Sequence, residues 1–380
     1  MLVNEQPSQS QRFLSLDVFR GLTVALMILV NNPGSWSFVY PPFRHAEWHG
    51  YTPTDLVFPF FLFAVGNAMS FALRKYEAIG HAAAVKKILK RTFLIFIIGL
   101  LLNWFPFVKY DDGGNFVFKS FESLRIMGVL QRIALCYGIA GLLIHFLKPK
   151  GATIAGILLL AGYWLILNFA GQGDPYSLEG NAGLFIDKAI LGESHMYHGE
   201  GQAFDPEGLL STLPAVVNVI AGYLVGAYIQ QKGKNNKTVG KLLIAGVVLV
   251  ALAYLWNIEF PINKKIWTSS YVLVTVGLAT LVLALLVYVI EIVGVKKGFG
   301  FFEVFGKNPL FIYVMSGVLV KTYGLIRPEA GMNAYSWIYK YGFQSWAGDY
   351  PGSLLFAIAH VLLFWLLGYV MDKKKIYIRV

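Results

Sequence analysis

Apolar residues run along this chain in long blocks, separated by short polar or basic stretches. The run LTVALMILVNN leads into the loop FRHAEWHG, and TPTDLVFPFFLFAVGNAMSFAL follows. Blocks of about 20 apolar residues are the length an α-helix needs to cross a hydrocarbon core of about 30 Å. Ten spans are predicted, near 14–33, 53–73, 92–107, 125–147, 151–170, 209–230, 242–257, 268–292, 308–324 and 352–372. Only Lys148, Pro149 and Lys150 separate the fourth from the fifth, which predicts a tight helical hairpin. The expected fold is therefore an all-α, polytopic membrane bundle forming a single domain over residues 1–380. Pro59 and Pro214 fall inside spans and predict kinks. Gly222 and Gly226 have the GxxxG spacing, which suits close helix packing within the bundle or across a homodimer.

Composition supports the membrane assignment. Hydrophobic residues make up 56% of the chain and charged residues 14%, against roughly a quarter charged in an average soluble domain. The net charge of +11 would suit nucleic acid, but its distribution argues for topology instead. Lys and Arg concentrate at 74–91, 148–150, 232–241 and 373–375, which are alternate inter-span segments and the tail. The positive-inside rule then puts both termini in the cytoplasm, with anionic lipid as a partner and no role for nucleic acid. Residues 1–13 and 373–380 become cytoplasmic ends, and the first span is expected to remain in the mature protein. The long external segment 171–208 is a candidate cap, with LFIDKAILG as a short amphipathic turn or two. Cys136 stands alone in a span and reads as packing.

Charges inside a bilayer are costly and mark candidate sites. Asp17 and Arg20 share a helical face at the cytoplasmic end of the first span, as a self-neutralising pair or as an anchor for a phosphorylated cofactor. Arg125 and Arg132 enter the fourth span from outside, and Asp55 is the expected partner of Arg132, in a structural ion pair or a substrate site. His45 differs, because it lies on a loop at the membrane face where helix packing does not require it. With Asp55 nearby, a neutral imidazole there can move a proton near pH 7. His195 and His198 have i, i+3 spacing but no third ligand in sight, so no metal site is expected.

Several separated blocks resemble, in one order, the membrane acetyltransferases typified by heparan-α-glucosaminide N-acetyltransferase. They are SLDVFRGLTVALMILVNNPG, FRHAEWHGYTPTDLVFPFFLF, LRIMGVLQR, IDKAILGESHMY, FDPEGLLSTLPAVVN and NKKIWTSSYV, with a looser match at GKNPLFIYV. The resemblance implies transfer of an acetyl group from cytoplasmic acetyl-CoA to a sugar or glycan amine or hydroxyl outside. It implies His45 as the active histidine, a general base or transient acetyl carrier, and Asn31 as a catalytic asparagine. The nucleotide would dock near Arg20, Lys90 and Arg91. Two departures stand out: no N-terminal lumenal domain precedes the first block, and Met315 and Ser316 stand where a second histidine is expected. The first departure suggests a compact bacterial relative in the inner membrane, and the second leaves the acceptor open, so that heparan itself need not be the substrate. The alternative from composition is a transporter or flippase using His45 and Asp55 for proton coupling.

Overall fold

The computed structural model describes residues 13–77, 80–329 and 331–378. Its membrane helices begin with α1 (Leu14–Asn31), α2 (Val57–Glu77), α3 (His81–Trp104) and α4 (Val129–Ala170). A short helix, α5 (Ala182–Leu191), precedes α6 (Thr212–Lys232), α7 (Asn236–Trp256) and α8 (Ser269–Leu286). The chain continues with α9 (Gly300–Lys307), α10 (Pro309–Leu325), α11 (Ala334–Tyr339), the single turn α12 (Ser345–Ala347) and α13 (Asp349–Lys373). Two three-residue strands, β1 (Val108–Tyr110) and β2 (Phe116–Phe118), pair antiparallel in the external loop after α3.

Seven of these helices are long and apolar enough to cross a membrane. One of them, α4, is two helices in one: Lys148 leaves helical geometry with φ 60°. Arg132 stacks over Trp267 and the Tyr163 hydroxyl donates to the Ile266 carbonyl, so both outer ends of α4 return to the same loop. That is the predicted hairpin. Counting α4 as two and adding α3 and the 17-residue α10, the described residues hold ten helical segments at the positions of the ten predicted spans. The start of α3 lies well before the predicted 92, because HAAAVKKILK is strongly helix-forming although too charged to read as a span.

The proline expectations need correction. Pro59 and Pro214 are each the third residue of their helix, in the first turn, where a missing N–H costs little. Pro59 still leaves the Asp55 carbonyl without its helical donor, and the Tyr271 hydroxyl of α8 donates to that carbonyl. The glycine pair does pack inside the chain. A Cβ on Gly222 would lie 2.0 Å from the Phe63 carbonyl oxygen of α2, and one on Gly226 would crowd Asn67 and Ser70. Close α2–α6 contact therefore requires both glycines, while Cys136 is buried with its thiol facing the Thr212 carbonyl. The 171–208 segment folds over a separate aromatic and aliphatic cluster that includes Tyr163, Leu184, Phe204 and Phe260.

Candidate active site

The outer site starts from local chain chemistry. The sequence Thr52-Pro53-Thr54-Asp55 opens a short 3-10 turn in front of α2, with Pro at its first position. The Asp55 carboxylate reaches back as in a capping box: Oδ2 accepts from the Thr52 N–H at 2.9 Å and the Thr52 hydroxyl at 3.1 Å. It also accepts from the Ala46 N–H at 3.0 Å, which folds the preceding loop onto the turn. Its other oxygen, Oδ1, lies 2.6 Å from Nδ1 of His45. A carboxylate can only accept, so Nδ1 carries the proton and donates it, leaving Nε2 as the lone-pair nitrogen. Asp55 is fully buried and the His45 ring is 39% exposed, so an inaccessible anion orients an accessible imidazole.

The third member comes from the α7–α8 loop. Lys264 Nζ lies 3.3 Å from Asp55 Oδ1, 2.9 Å from His45 Nδ1 and 3.4 Å from His45 Nε2. An in-plane donor to one ring nitrogen would be distant from the other, so this amine stands over the ring. The loop is fixed around it: Asn263 is fully buried and exchanges hydrogen bonds with Thr268, and the Gly50 N–H donates to the Ile262 carbonyl at 2.7 Å. Burial pushes the Lys264 ammonium below its ordinary range, while Asp55 and Glu207 pull against that shift. Sequence reasoning missed Lys264, which is remote along the chain; its inclusion in the NKKIWTSSYV block was the available signal.

The expected Arg132–Asp55 pair does not form. Arg132 is fully buried and bonds the Gly208 carbonyl at 3.0 Å and the Ser211 hydroxyl, with its guanidinium 4.8 Å over Trp267. Depth placed both residues near the outer end, but they face different helices. Arg125 makes a two-pronged contact with Asp205, at 2.9 and 2.6 Å, and a further 2.6 Å bond to Glu207. Burial disfavours ionised Glu207, but Arg125, Arg132 and Lys264 together hold its carboxyl below the usual range. Asp187 on α5 behaves oppositely. Burial raises it to about 6, although the Leu209 and Leu210 N–H groups and Arg132 favour its charged form.

Asn31, the last residue of α1, is exposed and makes no side-chain hydrogen bond among the described residues. His195 and His198 each face a backbone carbonyl, of Leu124 and Met196. No group of three His, Cys, Asp or Glu side chains with metal-holding geometry occurs among the described residues.

At the opposite end, a cavity of about 740 Å³ opens among α1, α2, α3 and the α9–α10 junction. Arg20, Lys75, Arg91 and Lys307 line it, with Asp17 as the one carboxylate. Arg20 binds Asp17 at 2.7 Å and the Gly306 carbonyl at 2.8 Å, so the intrahelical pair exists and sits on the cavity wall. Arg91 stacks 4.8 Å over Tyr137 and keeps a buried Nε donor with no partner among the described residues. Lys90 is elsewhere: it lines an open groove with Lys86, Leu89 and Phe93 on the other side of α3.

These features accompany a clear kinship. The chain is 28% identical to heparan-alpha-glucosaminide N-acetyltransferase of Mus musculus, covering 97% of this chain and 61% of the relative. It is 30% identical to the Homo sapiens protein of the same name, covering 80% of this chain and 52% of the relative. The chain thus spans about half to six-tenths of the length of these relatives. Residues 12–251, which carry His45, Asp55, Arg125, Arg132 and Glu207, match the family described as heparan-alpha-glucosaminide N-acetyltransferase, catalytic, and the chain belongs to that family.

Proposed function

We propose that this protein is a transmembrane acetyltransferase of the inner membrane. It takes an acetyl group from cytoplasmic acetyl-CoA and passes it to an amine or hydroxyl of a sugar on the outer side. The observation that carries this reading is the 2.6 Å His45–Asp55 contact, which leaves Nε2 of an accessible ring as base or nucleophile. A catalytic histidine needs that arrangement, and a packing histidine does not.

The cytoplasmic cavity fits the donor's nucleotide. Arg20 and Arg91 supply forked donors for phosphate oxygens, and the buried unpartnered Nε of Arg91 is a donor awaiting an acceptor. Lys90 is not part of this cluster. The flexible arm of the donor must then cross the bundle. Arg20 and Asn31 lie eleven steps apart along α1, a rise of about 16 Å at 1.5 Å per residue. Asn67, buried on α2 with both amide atoms unpartnered among the described residues, offers polar contacts between the two ends.

In the reaction, Nε2 of His45 takes the acceptor's proton as its nitrogen or oxygen attacks the thioester carbonyl, Asp55 stabilises the ring as it gains charge, and the C–S bond breaks with CoA leaving as the thiol on receiving that proton. Asn31 donates to the developing oxyanion. The test is acetyl transfer from labelled acetyl-CoA to a glucosamine-type acceptor by the protein in sealed vesicles, with donor and acceptor on opposite sides. Label should reach the acceptor, and His45→Ala should lose it. Acceptor crossing the vesicle membrane unacetylated, with no donor required, would replace this reading by a transporter.

A further inference from the structure

The amine of Lys264 stands where an acceptor amine would have to stand. It lies 2.9 and 3.4 Å from the two ring nitrogens of His45 and 3.3 Å from the Asp55 carboxylate. Any primary ammonium presented to this imidazole for deprotonation would seek the same neighbours: a base within hydrogen-bond reach and an anion beside it. The charged groups around that position are few. Asp55 faces it from the turn before α2, Glu207 acts on it from the loop before α6, and Lys265 adjoins it. The side chain is 17% exposed, so bulk water does not dominate its surroundings.

We propose that Lys264 is a self-acetylation site, at which the enzyme's own amine takes the acetyl group when no external acceptor occupies the site. This inference rests on the acetyltransferase reading, and it makes Lys264 an intramolecular counterpart of the acceptor. The Lys264 nitrogen forms a C–N bond to the acetyl carbonyl carbon, and the C–S bond of the thioester breaks. Two protons leave the original ammonium. One passes to solvent, through Asp55 or through Nε2 of His45 once the flexible side chain swings into the ring plane, and the other ends on the departing CoA sulfur, which leaves as the thiol. If the acetyl group rests first on Nε2, the breaking bond is the carbonyl carbon–imidazole bond, and the ring leaves neutral. The Lys264 nitrogen lies 2.9 and 3.4 Å from the imidazole nitrogens beside which the acetyl carbon would be presented, so the reacting groups are held together rather than brought by diffusion. The lowered basicity that burial gives Lys264 increases the fraction of free amine. The product amide can no longer pair as a cation with Asp55, so the modification also dismantles the site that made it.

Lys265 supplies an internal control. It is 18% exposed, nearly as sheltered as Lys264, but it is committed to Glu200 at 2.5 Å and lies away from the ring over Trp48. The purified protein would be incubated in two arms, one with acetyl-CoA and one with p-nitrophenyl acetate, which acylates imidazoles without a CoA site. Peptide mass spectrometry then reads acetyl occupancy at both lysines. In both arms Lys264 should be modified at least about tenfold faster than Lys265, as expected for a held rather than a diffusing amine. Glucosamine should protect Lys264, His45→Ala should bring its rate down to that of Lys265, and Lys264→Arg should abolish the fast phase. Equal rates at the two lysines in both arms would overturn the proposal. Fast Lys264 labelling by the ester alone would support this site and reject acetyl-CoA as donor. Acetyl-CoA-dependent transfer to glucosamine, with Lys264 unmodified in acceptor's absence, would reject self-acetylation and leave the enzyme intact.

Discussion

The two ends of the bundle space their charges differently. At the outer end, Asp55, Lys264, Glu207, Arg125 and Arg132 are drawn into short contacts behind a partly open histidine. At the opposite end, Arg20, Lys75, Arg91 and Lys307 spread along the wall of a cavity of about 740 Å³, Arg20 paired with Asp17 and Lys307 with Glu303 and Asp372. Converging charges in little space suit chemistry at one atom, because fixed dipoles and ions act most strongly where water is excluded. Dispersed cations around a wide opening suit recognition of a large anion. That difference supports the proposed division of reaction and donor binding between the two ends of the bundle.

The comparison breaks most visibly at His45. His45→Ala should lower acetyl transfer at least about a thousandfold, within the range for losing a positioned base, while CoA still binds; radiolabel transfer and calorimetric titration with CoA measure the two. Asp55→Asn should cost about a hundredfold or more in kcat with the donor KM unchanged, because an amide can present a donor to Nδ1 and select the wrong tautomer. Arg20→Ala and Arg91→Ala should act at the other end, each weakening CoA about tenfold, the loss of one charge-assisted contact of about 1.5 kcal/mol. Their kcat at saturating donor should hold; a kcat loss with unchanged CoA affinity would move them out of the donor site.

Smaller effects sharpen the contrast. Folded Asp187 keeps its proton up to about pH 6, whereas an unfolded aspartate releases it near its ordinary value of 3.8. Between those values the folded state holds the extra proton, so this residue's contribution to stability falls as pH rises through that window. Asp187→Asn removes the charging penalty, and thermal melts at pH 7 should show a variant more stable by up to about 3 kcal/mol. The gain should vanish below pH 4. Lys90→Ala should change CoA affinity less than about twofold, since Lys90 faces away from the cavity; a larger loss by titration would show that the donor reaches around α3.

The sequence made the helices visible because each is a long apolar block, and it made the His45–Asp55 pair visible because only a short loop separates them. Lys90 and Arg91 were grouped because they are adjacent, yet adjacent helical residues point about 100° apart. Buried Ala84, Ile88 and Ile95 lie at helical spacing from Arg91, so the periodicity of α3 held the distinction. The misassigned Arg132 partner has a different cause. Hydropathy gives depth but not azimuth, and only helix packing turns Arg132 toward Gly208 and Ser211. Lys264 could not be placed by spacing at all, since the fold brings it to His45 from 219 positions away.

One small contact carries a larger consequence. Because Pro59 withholds a donor, the main chain of residue 55 is moored to Tyr271 on α8, while the side chain of the same residue grips the imidazole. Catalytic ring and distant helix are thus fastened through a single amino acid. A carrier that rocks two halves past each other would have to tear this mooring in every cycle; an enzyme that stays still while its donor's arm does the travelling would never strain it.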